Sequence, residues 1–141
     1  MASESNTSAI VMCDAAVDAC DAGGTDPNAT MVFYSGTPPA NADASLSGNT
    51  VLAQLEMSIP AFGGAVDVNP GARATANPIS DDNAADATGT ATFTRILNRN
   101  NVPTLQLSVG TSAAEVIVPT TSFVQGVIVQ VTSCTITMPE A

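Results

Sequence analysis

The side chains that could carry chemistry in this sequence are almost all carboxylates. The densest group of oxygen donors is Asp81-Asp82-Asn83, followed by Asp86. Asp81 and Asn83 have the spacing of the first two ligands of a calcium-binding loop, but the glycine and the distant glutamate of such a loop do not follow. We interpret the group as a solvated acidic loop and keep a weak divalent-cation site as the alternative.

Three cysteines are the strongest potential nucleophiles. Cys13, Cys20 and Cys134 are odd in number and lack the paired spacing of metal ligands. If residues 8–22 form a helix, Cys13 and Cys20 lie about 10 Å apart along one face, which is beyond the reach of a disulfide. We expect all three thiols to be buried as small apolar groups.

Catalysis is disfavoured by the residue types that the sequence lacks. It contains no histidine and no lysine, so a general acid or base would have to be a carboxylate or the single tyrosine, Tyr34. Two carboxylates are enough for a glycosidase, but sugar clefts are usually lined by aromatic rings, and the sequence has no tryptophan. Nucleophile-elbow, phosphate-loop and zinc-site motifs are also missing. The sequence therefore predicts no enzyme, no catalytic residue, no cofactor and no bound metal.

The charge is strongly one-sided, with 13 acidic residues against three arginines and a net charge of -10. Affinity for nucleic acid comes mainly from cations that contact phosphates, so we expect no nucleic-acid partner. No stretch approaches the length of apolar sequence that a membrane span needs, and the beginning of the chain lacks the basic and apolar segments of a secretory signal. We expect no membrane partner and synthesis in the cytoplasm.

The N-terminal part of the chain has the composition of an arm followed by a helix. Residues 1–7 are polar and predict a flexible arm, whereas residues 8–22 are rich in alanine and free of glycine and proline. Thr7 or Ser8 can cap this helix, and Gly23-Gly24 can end it. We interpret its acidic stripe as a solvated edge, and its apolar stripe must be buried against its own domain or a neighbouring subunit. The apolar stripe is Ile10, Cys13, Val17 and Cys20, and the acidic stripe is Asp14, Asp18 and Asp21.

Beyond residue 30 the hydrophobic period changes to two, which predicts strands. The clearest strand runs from 51 to 59, with every second residue from Val51 to Ile59 apolar. Asn69-Pro70-Gly71 predicts a hairpin with a type II turn. The apolar residues of 127–131 and 134–138 are out of phase, which predicts a β-bulge or bend near Thr132-Ser133.

Further strands are predicted at 31–34 and 87–98, and the second of these has two faces that could be buried. Residues 35–49 between the first strands are rich in proline, asparagine, glycine and serine, and predict an exposed loop. About seven short strands joined by tight turns favour an all-β fold. We predict an antiparallel β-sandwich, jelly-roll-like or immunoglobulin-like, with one short N-terminal helix, in a single domain over residues 8–141.

Several stretches of the sequence are distinctive as a set. They are the YSGTPP turn, the NADA-x-L-SG-x-T-x-LA-x-L block and PAFG within residues 31–63, ATGTATFTRI at 87–96, SVGTSAAEV at 108–116, and VTSCTITMP near the end. Together they resemble a family of small structural proteins of tailed bacteriophages, over nearly the whole chain. No active site is carried over with the resemblance. It implies a virion component, most of all a capsid decoration or cement protein on the outer surface of the head.

The resemblance also implies the partners. A decoration protein would bind the major capsid protein and further copies of itself, as a homotrimer at local three-fold positions of the shell. The N-terminal arm and the loop 35–49 are the candidates for contact with the shell, and edge strands for contact with neighbouring copies. One alternative is a minor tail or head–tail connector protein. Another is a β module that binds a host surface or a carbohydrate.

Overall fold

The structure, a computed structural model, describes residues 5–138. The described residues are mostly β, since 34% of them lie in strands or bridges and 12% in helix. An α-helix, α1 (Asn6–Asp18), leads into a 3-10 helical turn (Ala19–Asp21). The strands that follow are β1 (Thr30–Tyr34), β2 (Val51–Glu56), β3 (Val66–Asp67), β4 (Ala72–Thr75), β5 (Gly89–Thr90), β6 (Phe93–Leu97), β7 (Pro103–Gly110), β8 (Val116–Ile117), β9 (Ser122–Phe123) and β10 (Ser133–Met138).

Eight of these strands form one mixed sheet in the order β2-β1-β6-β7-β8-β10-β4-β3, and β5 pairs with β9 in a separate small sheet. A mostly β fold with one N-terminal helix is thereby confirmed. The predicted antiparallel pairing holds for the other strand pairs of the described chain, but β7 and β8 run parallel with Val109 opposite Val116, so the sheet is mixed. Residues 111–115 connect the two strands. This short connection suffices because the two residues of β8 pair only with the end of β7, and the chain turns back there through Ala113, which has a left-handed φ of 52°.

The helix begins at Asn6 rather than at Ser8, because Ser5 caps it. The Ser5 Oγ accepts a hydrogen bond from the Ser8 amide at 3.2 Å. The arm predicted over residues 1–7 therefore overlaps the helix by its last two residues. Residues 1–4 of that arm lie outside the described residues.

The apolar stripe of α1 is buried in its own domain, which answers the question that the sequence left open. The helix packs against β4 and β10, and Cys13 Sγ lies 3.7 Å from the carbonyl oxygen of Ile136. The helix can approach β4 closely because the buried residues of that strand, Ala72 and Ala74, have small side chains. The buried residues of the helical segment are Ala9, Cys13, Val17 and Cys20.

Strand β1 is buried on both faces. Met31 and Phe33 point into the main core, whereas Val32 and Tyr34 join Phe93 in a second cluster on the opposite face. The rings of Tyr34 and Phe93 stack with their centroids 5.1 Å apart. Burial raises the pKa of the Tyr34 hydroxyl, and a nearby arginine partly offsets the rise. Both faces of the neighbouring strand β6 are also buried, so neither of its two candidate faces is exposed.

The loop 35–49 folds back over this second face. Arg95 of β6 is only 4% exposed and donates to the carbonyl oxygens of Asn41 and Ala44 at 3.1 and 2.7 Å. Gln106 of β7 donates to the carbonyl oxygen of Pro39 at 2.7 Å and accepts from Arg95 Nε at 3.0 Å. Two side chains of the sheet therefore hold a loop that has no regular secondary structure of its own.

The strand predicted over residues 51–59 is shorter and contains a bulge. It ends at Glu56, so Ile59 is exposed rather than buried. The pairing with β1 shifts by one residue opposite Tyr34 and skips Leu52, whose side chain is buried against the predicted alternation. The extra residue explains why period-two reasoning placed Leu52 on the wrong face.

The predicted hairpin is present, since β3 and β4 pair antiparallel. Gly71 has a φ of 97°, as the second central residue of a type II turn requires, and Asn69 before the proline has a φ of 34°. The predicted break in the last strand is a bend: the chain bends at Thr132, and β10 begins at Ser133. Local sequence signals thus located both features.

Candidate functional site

The oxygen cluster singled out in the sequence lies on a loop along the outer edge of β2. The amides of Ser80 and Asp86 donate to the carbonyl oxygens of Glu56 and Leu52 at 2.9 and 2.8 Å. This acidic loop, residues 80–86, therefore pairs with the edge of β2 without forming a strand. The acidic loop thus covers the edge of β2, and edge strands were the predicted elements for contact with neighbouring copies.

The carboxylates of the acidic loop accept hydrogen bonds from neutral donors of the same chain. Asp82 Oδ2 accepts from the Gln54 amide at 3.0 Å, and Asp86 Oδ2 accepts from Gln54 Nε2 at 3.1 Å. Asp81 Oδ2 accepts from Gln130 Nε2 at 3.1 Å. Within the described part of the chain, no group of three or more acidic or cysteine side chains is arranged to hold a metal ion.

Two carboxylates of the helical segment fasten it to the chain that precedes β3. Asp14 Oδ1 accepts from the Ala65 amide at 2.7 Å. The two carboxylate oxygens of Asp21 lie 3.0 and 3.3 Å from the Ala61 amide nitrogen. The interpretation of this stripe as a solvated edge is wrong for both residues, because these amides need acceptors that no strand supplies. Only Asp18 is exposed without such a contact.

We expect Asp14→Ala to lower the free energy of unfolding by about 1.5 kcal/mol, because the Ala65 amide loses a charged acceptor. Asp18→Ala is the matched control, since it removes the same charge from the same helix and should change stability by less than about 0.5 kcal/mol. Urea denaturation followed by circular dichroism measures both values. Equal destabilisation by the two substitutions would contradict the role of Asp14.

All three cysteines are buried, as the sequence predicts. Burial raises the pKa of Cys134 to about 12, and the negative charge of Glu115 adds to the rise. Burial is also the main cause of the raised pKa of Cys13 and Cys20. A thiol with a raised pKa contains little thiolate at neutral pH, so these side chains are poor nucleophiles.

The feature best suited to binding is a turn that follows β9. Val124, Val127 and Ile128 are large aliphatic residues, and their side chains are 50, 52 and 49% exposed. They border a pocket of about 120 Å³ that Pro119 and Phe123 also line. We call these three side chains and their pocket the 124–128 patch. Single exposed aliphatic residues are common, but three around one pocket are typical of an interaction site.

The turn that carries the patch is held in place by the loop that runs beside it. Gly126 donates its amide to the Ala85 carbonyl, and Ala85 donates to the Val127 carbonyl, both at 2.9 Å. The Gln125 amide donates to Thr88 Oγ1 at 3.0 Å. These bonds fix the backbone before a partner arrives, which reduces the conformational entropy lost on binding.

The acidic loop runs along one side of the patch. The backbones of Asp82 and Val129 exchange two hydrogen bonds, at 3.0 and 2.8 Å, so the acidic loop runs directly beside the patch. The Asp81 carboxylate is bound to Gln130, which lines the pocket. Asp82 and Asp86 belong to the same loop, and their carboxylates bind Gln54 of β2. We call Asp81, Asp82 and Asp86 the acidic rim.

The sequence predicts the surroundings of the patch incorrectly. It places Val127, Val129 and Val131 together on the buried face of one strand. In the structure Val129 is buried and Val127 is half exposed, because residues 124–127 form a turn in which Gly126 has a φ of 82°. The glycine is the signal from which the turn could have been inferred.

The predicted contact elements differ in how available they are. The loop 35–49 is bound to its own sheet, although many of its side chains remain exposed. The edge strand β3 has two exposed residues, and Asn6 Nδ2 donates to the Asp67 carboxylate there at 2.8 Å. The acidic loop covers β2. The loop 35–49 also lines a pocket, through Pro38, but it lacks the three large exposed aliphatic side chains that border the pocket of the 124–128 patch.

Comparisons of the chain with protein-family models, with curated proteins and with solved structures found no match. The likeness to phage structural proteins therefore stays a prediction from the sequence. Over residues 5–138, no helix is both long and apolar enough to cross a bilayer.

Proposed function

We propose that the protein is a capsid decoration protein of a tailed bacteriophage, which attaches to the outer surface of the head and stabilises the shell noncovalently. The 124–128 patch is the observation that carries a binding role, because it is apolar, exposed and held on a fixed turn. The resemblance of the sequence supplies the kind of assembly. A two-layer β-sandwich, jelly-roll-like or immunoglobulin-like, is the finer description of the fold that accompanies this proposal.

The chemistry of the side chains supports a binding role over catalysis. The thiols are buried with raised pKa values, and carboxylates of the acidic loop and the helix bind amides of the same chain. The pocket has one aromatic residue, Phe123, and its ring is buried, so it offers no platform for a sugar. These features favour a protein partner over a substrate or a glycan.

The charge of the chain also suits a protein present in many copies on the outside of a head. A net charge of -10 keeps the free copies soluble and apart. On a shell with many equivalent sites, modest contacts per copy act together against expansion of the shell. The proposed partners are therefore the major capsid protein and, as a trimer at local three-fold positions, further copies of the chain.

Quantitative mass spectrometry of purified particles tests the proposal. We expect on the order of hundreds of copies per particle, whereas a minor tail or connector protein forms a ring of about a dozen copies or fewer. Electron cryo-microscopy of the same particles should place the density outside the shell. A low copy number, or density inside the head or on the tail, would reject the decoration role.

Binding to shells is the second arm of this test. Purified protein should bind expanded capsids that lack it, saturably, and should raise the temperature at which those capsids break open. Capsids that already carry the protein are the control and should take up no more. Failure to bind bare capsids would contradict the proposal.

A further inference from the structure

We propose that the 124–128 patch and the acidic rim form one docking site for a protein segment in which an aliphatic or aromatic side chain is flanked by lysine or arginine. The identity of the partner rests on the proposed function, in which the major capsid protein supplies that segment. The chemistry of the site itself rests only on the structure.

The pocket of the patch has the size of one side chain. Its volume of about 120 Å³ is well below the roughly 300 Å³ of a typical small-molecule site. The residues that line it include Val127, Ile128 and the buried Phe123, which are all apolar. An aliphatic or aromatic side chain inserted there would be surrounded by apolar atoms on a backbone that is already fixed.

The acidic rim determines which partner fits. Asp81 and Asp86 are exposed, and their carboxylates accept hydrogen bonds from the side-chain amides of Gln130 and Gln54. These amides are neutral, so the bonds do not compensate the negative charge of the carboxylates. Arg95, the most buried of the three arginines, is occupied by the loop 35–49. A cationic segment therefore gains attraction at the rim.

A second copy of the chain fits the site less well than a cationic partner. Each copy carries a net charge of -10, and a symmetric contact would bring two acidic rims together. Like charges at an interface oppose association. The charge thus selects a basic partner over self-association at this surface.

Peptide titration of the full chain tests the site without any variant. Two short peptides share a central Phe-Leu pair, which lysines flank in one and glutamates in the other. In NMR spectra of the labelled protein, the lysine peptide should shift the amide signals of residues 122–130 and 80–86. The glutamate peptide should leave them in place, and the effect of the lysine peptide should weaken between about 0.05 and 0.5 M NaCl.

Three results of the titration would overturn the inference. The first is no shift at the patch with the lysine peptide. The second is an equal shift with both peptides, which would mean that the acidic rim has no part in recognition. The third is a shift of the same signals with protein concentration alone, which would show that a second copy occupies the patch.

Substitutions in the patch test whether the same site binds bare capsids. Val124→Ser, Val127→Ser and Ile128→Ser, combined, should weaken binding to bare capsids by about 30-fold or more. A matched triple control replaces two other exposed valines and one other exposed isoleucine by serine and should bind as the wild type does. The residues of this control are Val11, Ile59 and Val102, which are 61, 53 and 52% exposed.

Substitution of the rim isolates the charge. Asp81→Asn with Asp86→Asn keeps an acceptor oxygen at each position and should weaken capsid binding by about 3- to 10-fold at low salt, with no difference at high salt. Undiminished binding by both the patch and the rim variants would overturn the docking site while the decoration role stands. If the wild-type protein does not bind capsids but does bind the lysine peptide, the decoration role is rejected and the docking site is supported.

Discussion

Replacing Arg95 by methionine should lower the free energy of unfolding by about 3 kcal/mol, because buried hydrogen bonds to a charged donor are lost. The guanidinium reaches the carbonyl oxygens of Asn41 and Ala44 and the side chain of Gln106. Methionine keeps the aliphatic length of arginine but donates no hydrogen bond, so these acceptors lose their partner. Urea denaturation gives the change in free energy.

The matched control for this substitution is Arg73→Met. Arg73 is exposed and donates to Thr137 Oγ1 at 3.5 Å, so its replacement should change stability by less than about 0.5 kcal/mol. Arg95→Met should also release the loop 35–49, which thermolysin would then cleave faster before Leu46. Equal losses of stability in the two variants, with unchanged cleavage, would contradict the holding role of Arg95.

The native thiols should react far more slowly with a disulfide reagent than the thiols of the unfolded chain. The pKa of Cys134 is raised from 9.0 to about 12, which alone lowers its thiolate fraction at pH 8 by about 1000-fold. Cys13 and Cys20 are raised in the same direction by burial. Absorbance of the released thiolate should show almost no reaction in buffer and three reactive thiols in urea. Rapid reaction of the native protein would contradict the burial of these groups.

The same shift has a consequence for stability at high pH. Above about pH 9 the thiol of the unfolded chain loses its proton, whereas folded Cys134 keeps its proton until about pH 12. The unfolded state therefore binds fewer protons in this window, so the stability present below pH 9 is lost as the pH rises to 12. Cys134→Ala should show a shallower fall of the unfolding free energy over that window than the wild type. An identical slope would mean that Cys134 does not contribute.

Much of the local structure follows from the sequence. The stripe of Ile10, Cys13, Val17 and Cys20 predicts the buried face of the helix, of which only Ile10 is partly rather than fully buried. Pro70-Gly71 predicts the position of a hairpin. The phase change near Thr132 predicts the bend before β10. These features depend on neighbours within a few residues, and spacing along the chain records such relations directly.

Spacing along the chain does not predict contacts between residues that are far apart in the sequence. Asp14 binds an amide 51 residues away, and Arg95 reaches carbonyls 51 and 54 residues away. Neither pairing leaves a periodic signal, since any carboxylate or guanidinium on a surface has the same local pattern. The burial of β1 on both faces likewise depends on the loop 35–49 folding back over the sheet.

The candidate site also has some features that follow from the sequence and others that depend on the tertiary structure. The sequence by itself determined an acidic chain without histidine or lysine that is rich in short strands, and from these features it predicted a binding role. Val124, Val127 and Val129 are alike in type, yet the first two are exposed and the third is buried. Only the tertiary structure decided this, because the loop that pairs with Val129 and holds the turn lies some 40 residues earlier in the chain.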